Sequence, residues 1–211
     1  MRITIIYDNR VCKEGLKADW GFSCLIQDEG VNLLFDTGAS GAILLENMRK
    51  LGISPEKVDE IFISHSHFDH TGGLRDFLEI NPCKVYLPRS CSQPDGAGEV
   101  VRIDAPVRLH GCLYSTGELE KIEQSLIVKL DGGLAVIAGC SHPGVGRILA
   151  QARELGRVRA LIGGLHGFRE FFLLRDIDIV CPTHCTQAVR EIMSLFPEKY
   201  EEGGAGRVLM L

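Results

Sequence analysis

A chain of 211 residues with 45% apolar and 24% charged side chains has ordinary globular composition, which excludes a disordered chain and gives length enough for a substantial core. Its formal net charge of −5 argues against a broad surface that grips nucleic acid. No apolar run approaches the roughly 20 residues that a membrane span needs.

Residues 3–7 read as a first strand. The single Arg2 and the short apolar run after it, with no small-residue cleavage site, do not make a secretory signal, so a cytoplasmic protein is expected. Strands at 22–27 and 31–35 flank Asp28-Glu29-Gly30, a hairpin turn. Ile43, Leu44, Leu45 and Met48 have helical spacing over 41–50, and Gly52 closes that helix. Short strands follow at 58–63 and 85–87. Beyond them the order recurs: strands 126–130 and 134–138 around Asp131-Gly132-Gly133, a helix over 146–155 closed by Gly156, strands 160–162 and 177–180, and a last helix over 187–196.

The recurrence is specific at the strand ends. Leu34-Phe35-Asp36-Thr37-Gly38 corresponds to Ile137-Ala138-Gly139-Cys140-Ser141, Ile61-Phe62-Ile63-Ser64-His65 to Leu161-Ile162-Gly163-Gly164-Leu165-His166, and Val85-Tyr86-Leu87-Pro88 to Val180-Cys181-Pro182. The expected architecture is therefore α/β: one domain over 1–211 whose pseudo-repeated halves, about 1–110 and 111–211, pack sheet to sheet as a four-layer αββα sandwich. Histidines that follow strands then gather along one edge.

The strongest chemical signal is His65-Ser66-His67-Phe68-Asp69-His70, three imidazoles and a carboxylate between an apolar strand and Gly72-Gly73. His65 and His67, two apart at a strand end, point to the same side. Nitrogen and oxygen donors of this kind suit zinc, with manganese or iron as alternatives. His142 and His184 follow strands of the second half and are the further ligands expected. Cys140 either supplies a thiolate to a second metal or sits as a small buried residue in a tight turn. His166 is a wall, acid–base or ligand candidate, and His110 reads as a surface histidine. The eight cysteines read as free thiols of a reducing compartment. Cys181 and Cys185 lack the second pair of a four-cysteine zinc knot.

These motifs resemble the metallo-β-lactamase superfamily, through His-x-His-x-Asp-His at 65–70 and Asp36-Thr37-Gly38 after a strand. Within it, Gly21-Phe22-Ser23, Gly139-Cys140-Ser141-His142, Gly163-Gly164-Leu165-His166 and Pro182-Thr183-His184-Cys185-Thr186 resemble the branch similar to 7,8-dihydropterin-6-methyl-4-(β-D-ribofuranosyl)aminobenzene-5′-phosphate synthase. The resemblance implies the αββα fold, one or two divalent metal ions between the sheets and a small-molecule substrate. Two departures stand out. Tyr114-Ser115-Thr116-Gly117 holds no histidine where the superfamily has one, and Asp19-Trp20-Gly21 replaces the histidine that the branch carries before Gly-Phe-Ser.

On this reading, His65, His67 and His142 hold a first metal, and Asp69, His70 and His184 a second. Metal-bound hydroxide attacks an ester, phosphoester or lactone. Asp69 orients that nucleophile or takes its proton, and Asp36 fixes a ligand imidazole from behind. Asn9, Trp20 and His166 are the expected substrate contacts, with Arg89 a candidate phosphate partner. Two alternatives are a pterin-condensing transferase on the same scaffold and a metal- or redox-sensing protein that uses Cys140, Cys181 and Cys185.

Overall fold

Alternation along the strands decides which side chains meet. Between residues 31 and 35, Leu33 and Phe35 enter one apolar cluster while Leu34, between them, enters another on the opposite face. The computed structural model describes residues 1–28 and 30–211, so Glu29 of the expected Asp28-Glu29-Gly30 turn lies outside the described residues.

In chain order, β1 (Arg2–Tyr7), β2 (Ser23–Asp28) and β3 (Val31–Phe35) lead into α1 (Gly41–Leu51) and β4 (Glu60–Phe62). The short helices α2 (Phe68–Thr71) and α3 (Leu74–Leu78) precede β5 (Lys84–Pro88) and β6 (Glu99–Ile103). Then come β7 (Val107–His110), β8 (Leu113–Ser115), β9 (Leu126–Leu130), β10 (Gly133–Ala138) and α4 (Val145–Arg153). The chain closes with β11 (Val158–Gly164), β12 (Ile179–Thr183), α5 (Val189–Leu195) and β13 (Val208–Met210).

The strands form a seven-stranded sheet, β13-β1-β2-β3-β4-β5-β6, and a six-stranded sheet, β12-β11-β10-β9-β8-β7. Each contains an antiparallel hairpin followed by parallel neighbours: β2–β3 then β4 and β5, and β9–β10 then β11 and β12. Leu33, Phe35 and Phe62 of the first sheet meet Leu126, Ile137 and Ile162 of the second in the central core. The outer faces pack against helices, Leu44 and Met48 of α1 on one side and Ile148 and Leu149 of α4 on the other. The result is the α/β four-layer sandwich. Each of these fully buried apolar side chains contributes about 1.5–3 kcal/mol by leaving water.

Gly52 ends α1 in the left-handed region (φ 72), its N–H returning to Met48 O and Arg49 O. α4 stops at Arg153, earlier than its expected close at Gly156. The division of the chain also differs from a break near residue 110. The sheets change between Ile103 and Val107, and β13 returns to the first sheet with Leu209 opposite Ile3. The strand β6 (Glu99-Val100-Val101-Arg102-Ile103) breaks the apolar alternation that marks a half-buried strand, and β7 (Val107-Arg108-Leu109-His110) keeps it for only four residues. The chain ends meet, Leu211 N–H donating to Met1 O at 3.1 Å. No helix among the described residues is long and apolar enough to cross a membrane.

Candidate metal centre

Parallel strands deliver their carboxyl ends to the same edge, and the ligand-type residues follow those ends. Asp36 leaves β3, the His65–His70 segment follows β4, Gly139–His142 leaves β10, His166 follows β11 and His184 leaves β12. Three of these exits carry a non-glycine residue with left-handed backbone: Asp36 (φ 51), Ser141 (φ 62) and His184 (φ 46). Such conformations cost of order 1–3 kcal/mol each and persist where their surroundings enforce them. His184 is held by its N–H donating to Asp8 Oδ2 at 3.2 Å, and Asp36 by its N–H donating to Phe62 O at 2.9 Å.

The imidazoles cluster tightly. Ring centroids lie 4.2 Å apart for His65–His70, 4.6 Å for His65–His67, 4.9 Å for His65–His142, 4.8 Å for His67–His142 and 5.0 Å for His70–His184. Donor atoms of Asp69, His70, Cys140 and His184 all lie within 4.8 Å of one another, and so do those of His65, Cys140 and His142. The Cys140 thiol belongs to both sets. His67 stands with the second set, its Nδ1 3.0 Å from His65 Nε2.

Hydrogen bonds behind the rings fix their tautomers. Ser64 donates its hydroxyl to Asp36 Oδ2 (2.7 Å), so its oxygen accepts from His65 Nδ1 (2.9 Å). Asp36 Oδ2 also accepts from His70 Nδ1 (2.7 Å), and Asp36 Oδ1 accepts the Ser64 N–H (2.7 Å). Asn9 Oδ1 accepts from His184 Nδ1 (3.0 Å) while Asn9 Nδ2 donates to His184 O (3.0 Å). With Nδ1 protonated in all three, the Nε2 lone pairs point inward.

These residues fit a divalent cation. His142 Nε2 is buried without a hydrogen-bond partner among the described residues. His184 Nε2 faces Asp69 Oδ2 at 3.1 Å without completing a hydrogen bond. Orphaned buried acceptors of this kind are costly unless something occupies them. Burial, reinforced by neighbouring imidazoles, holds His65, His70 and His142 below the usual histidine range, which keeps their lone pairs available near neutral pH. Burial pushes the Asp36 carboxyl up, against the pull of the Ser64 N–H and hydroxyl. A cation held on the far side of His70 would favour the ionised form of Asp36.

The remaining expected residues fall into two groups. His166 is exposed at the rim, its ring 5.6 Å from His142, and Trp20 is 52% exposed with its ring 5.0 Å from His184. Asn9 is half-buried beside them, its amide bonded to His184 and to the Gly21 N–H. Arg89 is tied to Asp104 at 2.7 Å. His110 is half-buried against the buried Glu60 rather than free at the surface.

Sequence reading missed Asp8, Ser64, Glu123 and Gln124. Ser64 adjoins the histidine motif, and that adjacency was its only signal. The Glu123 carboxylate is fully buried and accepts four consecutive backbone N–H groups, from Gly139, Cys140 and Ser141 to Oε1 and from His142 to Oε2.

Comparison with known proteins follows the same line. The family model of the metallo-β-lactamase superfamily matches residues 21–118. The chain is 26% identical to the 7,8-dihydropterin-6-methyl-4-(β-D-ribofuranosyl)-aminobenzene-5′-phosphate synthase of Methanocaldococcus jannaschii, over 90% of this chain and 89% of that protein. It is similar to the crystal structure of Tm1679, a metal-dependent hydrolase of the β-lactamase superfamily, at TM-score 0.84 and 26% identity, over 100% of this chain and 99% of the other. Zn²⁺-bound PqqB from Methylobacterium extorquens shares the fold at TM-score 0.65 and 13% identity, over 100% of both chains. Motif, layering and relatives converge on the metallo-β-lactamase superfamily, whose fold this chain has and whose members it resembles.

Proposed function

We propose that this chain is a divalent-metal-dependent hydrolase that cleaves an ester, phosphoester or lactone in a small molecule. The observation that carries the reading is the pair of donor sets sharing Cys140, with inward-facing nitrogens at the edge where both sheets deliver their strand ends. His65, His67 and His142 would hold one cation, and Asp69, His70 and His184 another, and Cys140, which belongs to both donor sets, could serve either. Zinc suits this mixture of imidazole, thiolate and carboxylate. Such a cation supplies Lewis acidity and an activated water at neutral pH.

The protein's own groups do the rest. Asp69 Oδ2, facing both His70 and His184, orients the attacking water or accepts its proton. His166, exposed beside His142, is placed to protonate a leaving group. Trp20 forms a wall of the mouth beside His184. Ser64 and Asp36 keep His65 and His70 aimed inward, and Asn9 does the same for His184.

A second reading is condensation of a pterin with a phosphorylated aminobenzene riboside. It is favoured by the likeness to the Methanocaldococcus jannaschii synthase and by the exposed Trp20 indole, a stacking surface for a flat ring. The test begins with metal content by plasma mass spectrometry on protein purified without chelator, beside His67→Ala. About two equivalents in the wild type, falling in the variant together with activity, is the expected result. A His67→Ala protein with full metal and full activity removes the assignment. Turnover of ester, phosphoester or lactone substrates supports the hydrolase; turnover of the pterin pair alone supports the synthase.

A further inference from the structure

Residues 119–124 form a tight turn that ends in two fully buried polar side chains, Glu123 and Gln124. Leu119 and Glu123 pair across it, Leu119 N–H to Glu123 O at 2.9 Å and Glu123 N–H to Leu119 O at 3.3 Å. Glu120 (φ 52) and Lys121 (φ 57) are consecutive left-handed residues without being glycine. Strain at two adjacent positions persists only where something is gained by it.

Glu123 and Gln124 then reach in two directions. Four successive N–H groups at 139–142 form a concavity of the kind that binds anions, and the Glu123 carboxylate fills it at 2.8–3.1 Å. Gln124 faces the other ligand loop: its N–H donates to Ser64 O at 2.9 Å, and its Nε2 donates to Ile63 O at 2.9 Å. Ser115 Oγ donates to Gln124 Oε1 at 2.7 Å and locks that amide in place. Among the described residues, Glu123 forms no ion pair, and its hydrogen-bond partners are these four backbone N–H groups.

We propose that the dipeptide Glu123-Gln124 is a positioning clamp that sets the distance between the two ligand loops, and through it the separation of His65 from Cys140 and His142. The proposal rests on the metal-centre reading above. One carboxylate fixes the backbone that bears Cys140 and His142, and the adjacent residue fixes the backbone that leads into His65. Displacing either loop separates donors that must converge within a few tenths of an ångström. The clamp also occupies every N–H of the 139–142 concavity, which leaves none of them for a substrate anion.

The test compares Glu123→Gln with Glu60→Gln, a variant of another buried carboxylate, one that holds Tyr86 and His110 instead. Metal dissociation constants are measured by chelator competition, and the ligand-field absorption of the cobalt(II)-substituted protein is recorded. Glu123→Gln is expected to weaken metal binding about 10–100-fold and to alter the cobalt spectrum. Glu60→Gln is expected to lower the melting temperature only. Gln124→Met, which keeps the backbone N–H to Ser64 and loses the amide, carries the test should Glu123→Gln fail to fold: one metal equivalent is expected to loosen while the other holds. Wild-type affinity and spectrum in Glu123→Gln, or in Gln124→Met where it stands in, overturn the clamp, as does an equal loss in Glu60→Gln. A wild-type protein that takes up neither zinc nor cobalt overturns the metal-centre reading itself.

Discussion

Asp36 shows how much a single side chain can carry. Its two oxygens receive the Ser64 N–H, the Ser64 hydroxyl and His70 Nδ1, each at 2.7 Å, and through Ser64 they reach His65 as well. Asp36→Asn replaces one acceptor oxygen with a donor and leaves at least one buried hydrogen facing another. The expected outcome is a loss of about 10–100-fold in metal affinity, read by chelator competition, with a lower melting temperature in the metal-free protein. The sequence made Asp36 visible because it ends a strand in Asp-Thr-Gly, and the His65–His70 spacing was visible for the same local reason. Glu123 was invisible for an equally physical reason. It sits in Glu118-Leu119-Glu120-Lys121-Ile122-Glu123, a charged stretch that reads as solvated surface, and only the left-handed pair before it turns the carboxylate inward. Asn9 lies 175 residues from His184 in sequence, and nothing local announces that they are partners.

At the scale of elements, the strand exits demand glycine where two backbones nearly touch. A Cβ on Gly163, at φ +123 in β11, would lie 1.9 Å from Ala138 O of the neighbouring β10. Gly163→Ala is therefore expected to destabilise the fold by more than about 3 kcal/mol, measured by denaturant unfolding. Gly167 has φ +66 but open space around a Cβ, so Gly167→Ala meets only the left-handed penalty of about 1–2 kcal/mol. Equal effects at the two sites would contradict the packing argument. Some elements with a buried face were legible from periodicity: α1 with its Gly52 cap, and β3, β9 and β10 within a residue or so, whereas α3 escaped although Leu74, Phe77 and Leu78 are buried. The strands β6, β7 and β8 were not legible: β6 breaks the apolar alternation, and β7 and β8 are only four and three residues long, too short for a period to stand out.

For the whole molecule, the donor sets draw on both sheets, with His65, His67, Asp69 and His70 from one and Cys140, His142 and His184 from the other. A cation bound there joins the layers as well as serving chemistry. At a free metal concentration 100-fold above the dissociation constant, such binding adds about 2.7 kcal/mol, or roughly 5–10 °C in melting temperature for a chain of this size. Chelation is expected to remove that increment, and calorimetry of the protein before and after metal removal checks it. An unchanged melting temperature after removal of bound metal would mean that the layers hold without it. The overall αββα layering was legible because the same strand order occurs twice. The return of β13 to the first sheet was not, because three residues at the chain end, two of them exposed, carry almost no pattern.

That return has a consequence for covalent connectivity. Met1 N and Leu211 O are 3.2 Å apart, while residues 104–106, where the chain passes from one sheet to the other, are exposed. A short Gly-Ser linker can close the ends, and new termini can be opened at Ala105, giving a circular permutant in which the second half precedes the first. Such a protein is expected to bind metal with wild-type stoichiometry and to melt within a few degrees of the parent, since no strand pairing is cut. Failure to bind metal would show that the native order of synthesis matters to assembly. Success would make the order of the two halves along the chain an accident of where the ends happen to fall.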